Sequence, residues 1–360
     1  MIQYAAILLS AVAIAVFVTP LVRNAATRFG VTDTPSARKI HAEAVPLLGG
    51  AAIWCGFVLT LLLFDTAGFV KQFGSIIVGA TIVSVVGLWD DRQGIKPALK
   101  LLGQIIAAVL IVAFGTSIHF ASVLTAAFGV QLQNNDQLDL AVTILWVVGI
   151  TNALNLLDNM DGLAGGVAAW ASFFLFLLAL MSSQRYVALL ALALAGACIG
   201  FLYYNFRPGH IFMGDTGSLF LGFMLAAVGI KLRFPVLYDP ITGVAVNHQA
   251  VTWMIPLLVL GLPIFDTALV TISRLRRRLP ISRGGRDHTS HRLVALGMNH
   301  HEAVLLLYII CLLFGIAAIA VAYLPVAEAQ ILGLCVLAAA ALALWRLEQV
   351  PLVDTNPAMP

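Results

Sequence analysis

Charge is scarce in this chain: only 10% of its 360 residues are Asp, Glu, Lys or Arg, against about 25% in a soluble domain. Hydrophobic residues make up 61% and the mean hydropathy is +0.98, more than burying a soluble core requires. Cysteine is also sparse. Cys55, Cys198, Cys311 and Cys335 all fall inside apolar stretches with no CxxC or Cys/His spacing. That excludes a zinc site or disulfide framework and leaves them as small packing residues. The net charge of +3 is small and dispersed, so nucleic acid is excluded as a partner. Low-complexity tracts and long linkers are missing too, which implies one membrane domain over residues 1–350 and a short tail, 351–360. Met1-Ile2-Gln3-Tyr4 lacks a basic leader and the first apolar run ends at Pro20 without a small-residue cleavage pattern. The first segment is therefore expected to be a retained span.

What is abundant is long apolar sequence. A bilayer takes about 20 residues per helix, and the runs predict eleven spans in an all-α, polytopic transmembrane helix bundle. They cover roughly 2–22, 47–64, 72–89, 98–116, 138–156, 165–182, 187–205, 216–232, 251–272, 302–324 and 328–346. Asp65, Gly68, Lys71 and Gly74 divide what could pass for one long helix into a hairpin.

Basic residues then orient the bundle. On this layout sixteen Arg and Lys, from Arg23 to Arg346, fall on one side, against Lys71, Arg185, Lys231 and Arg233 on the other. Loops rich in Lys and Arg stay cytoplasmic, so the N-terminus is expected outside and the C-terminus in the cytoplasm.

Five polar segments fall on that same face. Asp90-Asp91 closes the third span, with Pro97 and Lys100 opening the next. Adjacent carboxylates repel and need a cation or a shared proton at a membrane edge; an interfacial pair satisfied by Arg92 and Lys96 is the plain alternative. Asn152, Asn155, Asp158 and Asp161 recur every third position at the end of the fifth span, followed by Gly162. At 3.6 residues per turn they drift through about 180°. An unwound last turn would gather them, and capping alone does not need four such residues.

Asn205, Arg207, His210, Asp215 and Ser218 lie between the seventh and eighth spans. Asp215, between Gly214 and Gly217, suits either a helix N-cap or a ligand to Mg²⁺ bridging phosphate oxygens. In the loop from Arg283 to Arg292, Gly284-Gly285 followed by Arg286, His288, His291 and Arg292 suits an anion such as a diphosphate. A two-histidine metal site and a plain basic loop are the alternatives. The first loop holds Arg38, Lys39 and His41, either a phosphate-attracting patch or ordinary cytoplasmic charge. Asn299 and Glu302 read as a capping box. Acids, phosphate-reading bases and a divalent cation at one face suggest phosphoryl transfer involving a lipid. A transporter would instead place charges near span centres and show an internal repeat. Neither is seen, Asp266 being the main exception; it is a pocket residue or a partner of Arg274.

Taken together, Arg38-Lys39 with His41, Asp90-Asp91, the series Asn152, Asn155, Asp158, Asp161-Gly162-Leu163-Ala164, and Phe212-Met213-Gly214-Asp215 with Gly217-Ser218 resemble the polyprenyl-phosphate N-acetylhexosamine-1-phosphate transferases. The likeness runs in order from about residue 35 to 300. It implies a UDP-sugar donor, undecaprenyl phosphate as acceptor within membrane lipid, UMP as leaving group, and Mg²⁺ as cofactor with Mn²⁺ as its substitute. It also implies a multi-pass protein of the plasma (inner) membrane with a cytoplasmic active site, in a form that admits a homodimer.

By that resemblance Asp215 and Asn155 hold or border the metal, and Asp90 or Asp91 aligns or deprotonates the lipid phosphate. Asp158 and Asp161 belong to the catalytic and nucleotide pocket. Arg38, His41, Lys100, Asn152, Asn205, His288, His291 and Arg292 contact substrate. Asn159 stands where the family pattern carries Gly, a change that removes no carboxylate. The segment from His288 to Arg292 lacks the triple histidine of the phospho-MurNAc-pentapeptide branch. It is similar instead to the branch that uses UDP-GlcNAc.

Overall fold

Long apolar segments fold as helices because a bilayer offers no partner to backbone N–H and C=O groups, and a helix pairs them within one segment. The computed structural model describes residues 2–33, 44–64, 68–129, 136–206, 209–234, 237–238, 245–246, 249–281 and 285–351. The chain begins with α1 (Ile2–Phe29), the two-residue strands β1 (Thr32–Asp33) and β2 (Val45–Pro46), and α2 (Gly49–Leu63). Next come α3 (Gly68–Gln93), α4 (Pro97–Ala113), α5 (Phe120–Phe128), α6 (Asp136–Leu157), α7 (Leu163–Met181), α8 (Arg185–Asn205) and α9 (Gly214–Lys231). After the strands β3 (Leu237–Tyr238) and β4 (Ala245–Val246) come α10 (Gln249–Thr252), α11 (Met254–Val259), α12 (Gly261–Arg276), α13 (Thr289–Ala295), α14 (His300–Tyr323) and α15 (Val326–Glu348). The two antiparallel strand pairs, β1 with β2 and β3 with β4, are the only departure from all-helical structure among the described residues.

The chain is a helical membrane protein. Seven helices (α1, α3, α6, α7, α8, α14 and α15) are long and apolar enough to cross a bilayer. An eighth arises if the residues 250–259 and 261–276 form one span, and that pair is bent by 74°. Pro263 explains the break: it has no N–H for the carbonyl of Val259, so the helical ladder cannot run through. The remaining predicted spans correspond to α2, α4 and α9, of 15, 17 and 18 residues, at the short end of what crosses a bilayer.

Burial separates the helices by role. Every residue of α9 from Thr216 to Gly229 is buried, as expected of a helix apolar on all sides at the centre of a bundle. Helices α2, α3 and α6 pack around it. At the opposite extreme, α15 buries only Ala329 and turns Ile331, Leu334, Leu337, Leu342 and Trp345 outward, as a lipid-facing helix does. The segment after β2 is laced to the approach of α9: Phe212 N donates to Pro46 O at 2.8 Å, and the amides of Gly49 and Gly50 donate to the carbonyls of Phe212 and Met213 at 2.9 and 2.8 Å. That places the α9 N-terminus at the end of the bundle where α3 and α6 finish and α4 and α7 begin.

Candidate active site

The first turn of a helix leaves N–H groups without intrahelical partners, and in α9 these are met from another helix. Asp91, near the end of α3, accepts hydrogen bonds from Asp215 N at 2.8 Å, Thr216 N at 2.9 Å and Thr216 Oγ1 at 2.7 Å. Asp215 is thus not the N-cap; it lies within the first turn, and Asp91 does the capping. This needs backbones in close contact. A Cβ on Gly87 would lie 2.3 Å from Asp215 O, so only glycine lets α3 approach. Gly214 has φ of +69°, and a Cβ there would meet Leu47 O and the Asp91 carboxylate, a second position where glycine is required.

Asp90 points elsewhere, as two adjacent residues of a helix must. Its Oδ1 accepts from Ile95 N at 2.8 Å and its Oδ2 from Lys100 Nζ at 3.0 Å. Lys100 Nζ also donates to Asp215 Oδ2. The ammonium therefore bridges two partly buried carboxylates from different helices, and neither Arg92 nor Lys96 is the partner of this pair. From α6, Asn155 Nδ2 donates to Asp215 Oδ1 at 2.7 Å and to Ser218 Oγ at 2.9 Å. That leaves Asn155 Oδ1 free to serve as a ligand. Asn152 instead exchanges hydrogen bonds with Gln104 of α4, the shorter at 2.6 Å, which joins the helices behind the site.

Helix α6 stops at Leu157, and the chain unwinds through 158–162, as the glycine that follows permits. Asp158 N reaches Asn155 O and Asn159 N reaches Leu157 O. Burial, then the nearby charges of Asp215, Asp91 and Asp161, push the Asp158 carboxyl up to about 8. Asp161 Oδ2 accepts from Gly209 N at 3.1 Å. Asn205 is buried, accepting from Gly162 N at 3.0 Å and donating to Ile211 O at 2.9 Å. It fastens the two loops together. Tyr308 of α14 completes the clasp by donating to Gly162 O at 2.5 Å.

The histidine segment docks on this loop through Ser290, whose Oγ donates to Asn159 Oδ1 at 2.6 Å. Asp266 is fully buried and pairs with His288, Nδ1 to Oδ2 at 2.8 Å; it does not pair with Arg274. Arg274 makes two 2.8 Å bonds to Asp287. Burial favours a neutral Asp287, but the hydrogen bonds and charge of Arg274 outweigh it and hold this carboxyl below its ordinary range. His291 is pulled down to about 4 by burial, with the charges of His288 and Arg286 adding to it; at neutral pH it is uncharged. Arg292 is enclosed, donating to Asp287 O, Ser273 Oγ, Leu347 O and Glu348 Oε2. Its guanidinium ties α13 to the ends of α12 and α15 and is not open to a phosphate. The capping box of Asn299 and Glu302 is present. Arg38 and His41 lie outside the described residues.

Among the described residues no group of three or more His, Cys, Asp or Glu forms a ready metal cage. Mg²⁺ does not need one: it is held by one or two carboxylates, with waters and substrate phosphates completing its octahedron. Asp215 and Asn155 supply hard oxygen donors of that kind, and the Lys100 ammonium between Asp90 and Asp215 marks a place that favours a cation. The residues present fit the ion.

The model of "Glycosyl transferase family 4" matches residues 73–233, the stretch that carries Asp90, Asp91, Lys100, Asn155, Asp158, Asp161 and Asp215. A "probable undecaprenyl-phosphate N-acetylglucosaminyl 1-phosphate transferase" of Bacillus subtilis is 37% identical over 306 residues, 84% of this chain and 80% of that protein. The chain belongs to glycosyl transferase family 4. Two further family 4 relatives are similar. A "decaprenyl-phosphate N-acetylglucosaminephosphotransferase" of Mycolicibacterium smegmatis is 31% identical over 97% of this chain and 88% of its own length. A "phospho-N-acetylmuramoyl-pentapeptide-transferase" of Caldicellulosiruptor bescii is 30% identical over 83% and 90%. The resemblance drawn from the motifs, to this family and its N-acetylglucosamine-phosphate branch, is borne out. The candidate site also contains residues that spacing did not single out: Thr216, Gln104, Asn159 as a docking point, Ser290 and Tyr308. Each acts through a contact between segments distant in sequence, and no local pattern announces it.

Proposed function

We propose that this chain transfers a sugar 1-phosphate from a UDP-sugar to a polyprenyl phosphate, releasing UMP. The observation that carries the reading is the bridge from Asp90 through Lys100 to Asp215, beside Asn155, at one end of the bundle in a family 4 chain. An oxygen of the lipid phosphate attacks the sugar-bearing phosphorus of the donor, the bond from that phosphorus to the UMP oxygen breaks, and UMP leaves. Asp90 faces the acceptor and orients its phosphate or takes its proton. Asp91 positions Asp215 through the α9 cap, and Lys100 offers positive charge to phosphate oxygens. Asp158 and Asp161 border the nucleotide, with His288 and His291 on its far side. Mg²⁺, or Mn²⁺ in its place, would be held by Asp215 and Asn155 and would neutralise the diphosphate charge.

N-acetylglucosamine 1-phosphate is the group transferred, with undecaprenyl phosphate as acceptor, in the first step of a lipid-linked cell-envelope polysaccharide. The His288–Arg292 segment and the names of the Bacillus and Mycolicibacterium relatives support the sugar, and that of the Bacillus relative supports the acceptor. The excess of Arg and Lys at the site's end of the bundle supports a cytoplasmic active site in the plasma membrane.

The test is direct. Purified chain with undecaprenyl phosphate, Mg²⁺ and radiolabelled UDP-GlcNAc should yield lipid-linked label and UMP, and UDP-MurNAc-pentapeptide should yield none. Product from the pentapeptide donor alone would move the chain to the other branch, and no turnover with either would overturn the reading.

A further inference from the structure

Asp266 lies in the middle of α12, fully buried, where an uncompensated carboxylate would be costly. It is doubly compensated at the start of α13. Its Oδ2 contacts His288 Nδ1 at 2.8 Å and its Oδ1 accepts from Thr289 N at 2.7 Å. Both oxygens therefore hold the same two-residue corner. His288 is itself buried, and its Nε2 makes no hydrogen bond among the described residues. The segment is set against the 158–162 loop by Ser290 and Asn159, and that loop carries Asp158, close enough to feel the charges of Asp215 and Asp91. The ring is thus clamped on one nitrogen while the other remains available on an element docked to the reacting centre.

We infer that Asp266 is a positioning residue for transfer: it holds His288 with the proton on Nδ1 and directs Nε2 to the phosphate groups of the nucleotide donor. The inference rests on the functional reading above, in which His288 borders the donor. A helix cap alone would not need a carboxylate. Asparagine at 266 can still accept from Thr289 N, but its amide would donate to His288 Nδ1 and force the proton onto Nε2. Asp266→Asn therefore preserves the cap while reversing the tautomer, and so separates the positioning role from a structural one.

The assay compares wild type, Asp266→Asn, His288→Gln and the double variant for UMP release with UDP-GlcNAc, Mg²⁺ and undecaprenyl phosphate. Thermal unfolding in detergent is followed alongside. If the wild type does not turn over, it is the functional reading that fails. Given wild-type turnover, Asp266→Asn should lower kcat by about 10²-fold with KM for UDP-GlcNAc and unfolding temperature close to wild type. The double variant should be no slower than His288→Gln alone. Multiplying effects in the double variant, or unchanged kcat in a folded Asp266→Asn, overturn the inference. Because a buried substitution can prevent folding, ¹⁵N-imidazole NMR of wild-type protein gives an independent reading, with the His288 resonance assigned by its loss in His288→Gln. Protonated Nδ1 supports the assignment, and protonated Nε2 with bare Nδ1 refutes it.

Discussion

Asp91 on α3 caps the helix that carries Asp215, accepting from Asp215 N at 2.8 Å. Two acids 124 positions apart are thereby locked in one geometry, while Asp90, next in sequence, shares its lysine with Asp215 instead. One residue of the acidic pair caps a helix and the other shares a lysine with Asp215.

That division predicts different outcomes for the pair. Asp91→Ala strands two backbone amides and the Thr216 hydroxyl, and loss of a cap costs about 1 kcal/mol, more where buried donors are left unpaired. Its unfolding temperature in detergent should fall together with its activity. Asp90→Asn leaves the cap intact and should lose turnover with the unfolding temperature unchanged. Equal destabilisation by both would contradict the division.

Lys100 keeps Asp90 and Asp215 compatible. Lys100→Met should lower kcat by about 10²-fold, the usual effect of removing one electrostatic contact from a reacting centre. Lys100→Arg should not restore it, because a planar fork does not replace a point charge between two carboxylates. Initial rates of UMP release check both, and wild-type turnover in Lys100→Met would exclude a role for the bridge.

The crowding of Asp158 has a signature in stability. Its carboxyl, raised to about 8 by burial and by the charges of Asp215, Asp91 and Asp161, binds a proton more tightly folded than unfolded. As pH rises from the ordinary carboxylate value near 3.9 toward 8, the folded state loses stability through this group. With a chelator present, Asp158→Asn should unfold at higher temperature than wild type, with the gap widening from pH 5 to pH 8 and then levelling. A gap independent of pH would show that Asp158 is not strained in this way.

Asp287 behaves oppositely. The hydrogen bonds and charge of Arg274 hold its carboxyl low against the opposing effect of burial, so its contribution to stability is complete above the ordinary carboxylate value and lost as pH falls below it. Asp287→Ala leaves Arg274 buried without its partner and should destabilise the fold by about 3–5 kcal/mol at neutral pH, as breaking a buried pair does. The difference from wild type should shrink in acid. Denaturant unfolding at pH 7 and pH 3 measures both.

Much of the fold was legible because a bilayer writes in long apolar runs, and α1, α6, α7, α8, α14 and α15 appear close to where hydropathy places them. The broken α11–α12 span was not, although Pro263 stood in plain view. Proline limits where the ladder can continue, but packing decides how far the axis turns. The helices α2, α4 and α9 stand where hydropathy places spans, and their caps and neighbours set their lengths. At the site, the series from Asn152 to Asp161 read as one lining. In three dimensions Asn152 turns to Gln104, Asn155 to Asp215, and Asp158 lies past the end of the helix.

The sequence by itself determined that the chain lives in a membrane, which residue types meet at helix ends, and to which family it belongs. Apolar length and the chemistry of spaced acids are local properties that survive in one dimension. Only the tertiary structure decided which partner each acid meets. Asp90 and Asp91 are indistinguishable as letters, and so are Arg274 and Arg292 as phosphate-seeking bases. Their roles follow from the partner each meets across the bundle: Lys100 for Asp90, the α9 amides for Asp91, and Asp287 and the end of α15 for the two arginines. Such partners lie ten to more than a hundred residues away, and helix packing alone brings them together.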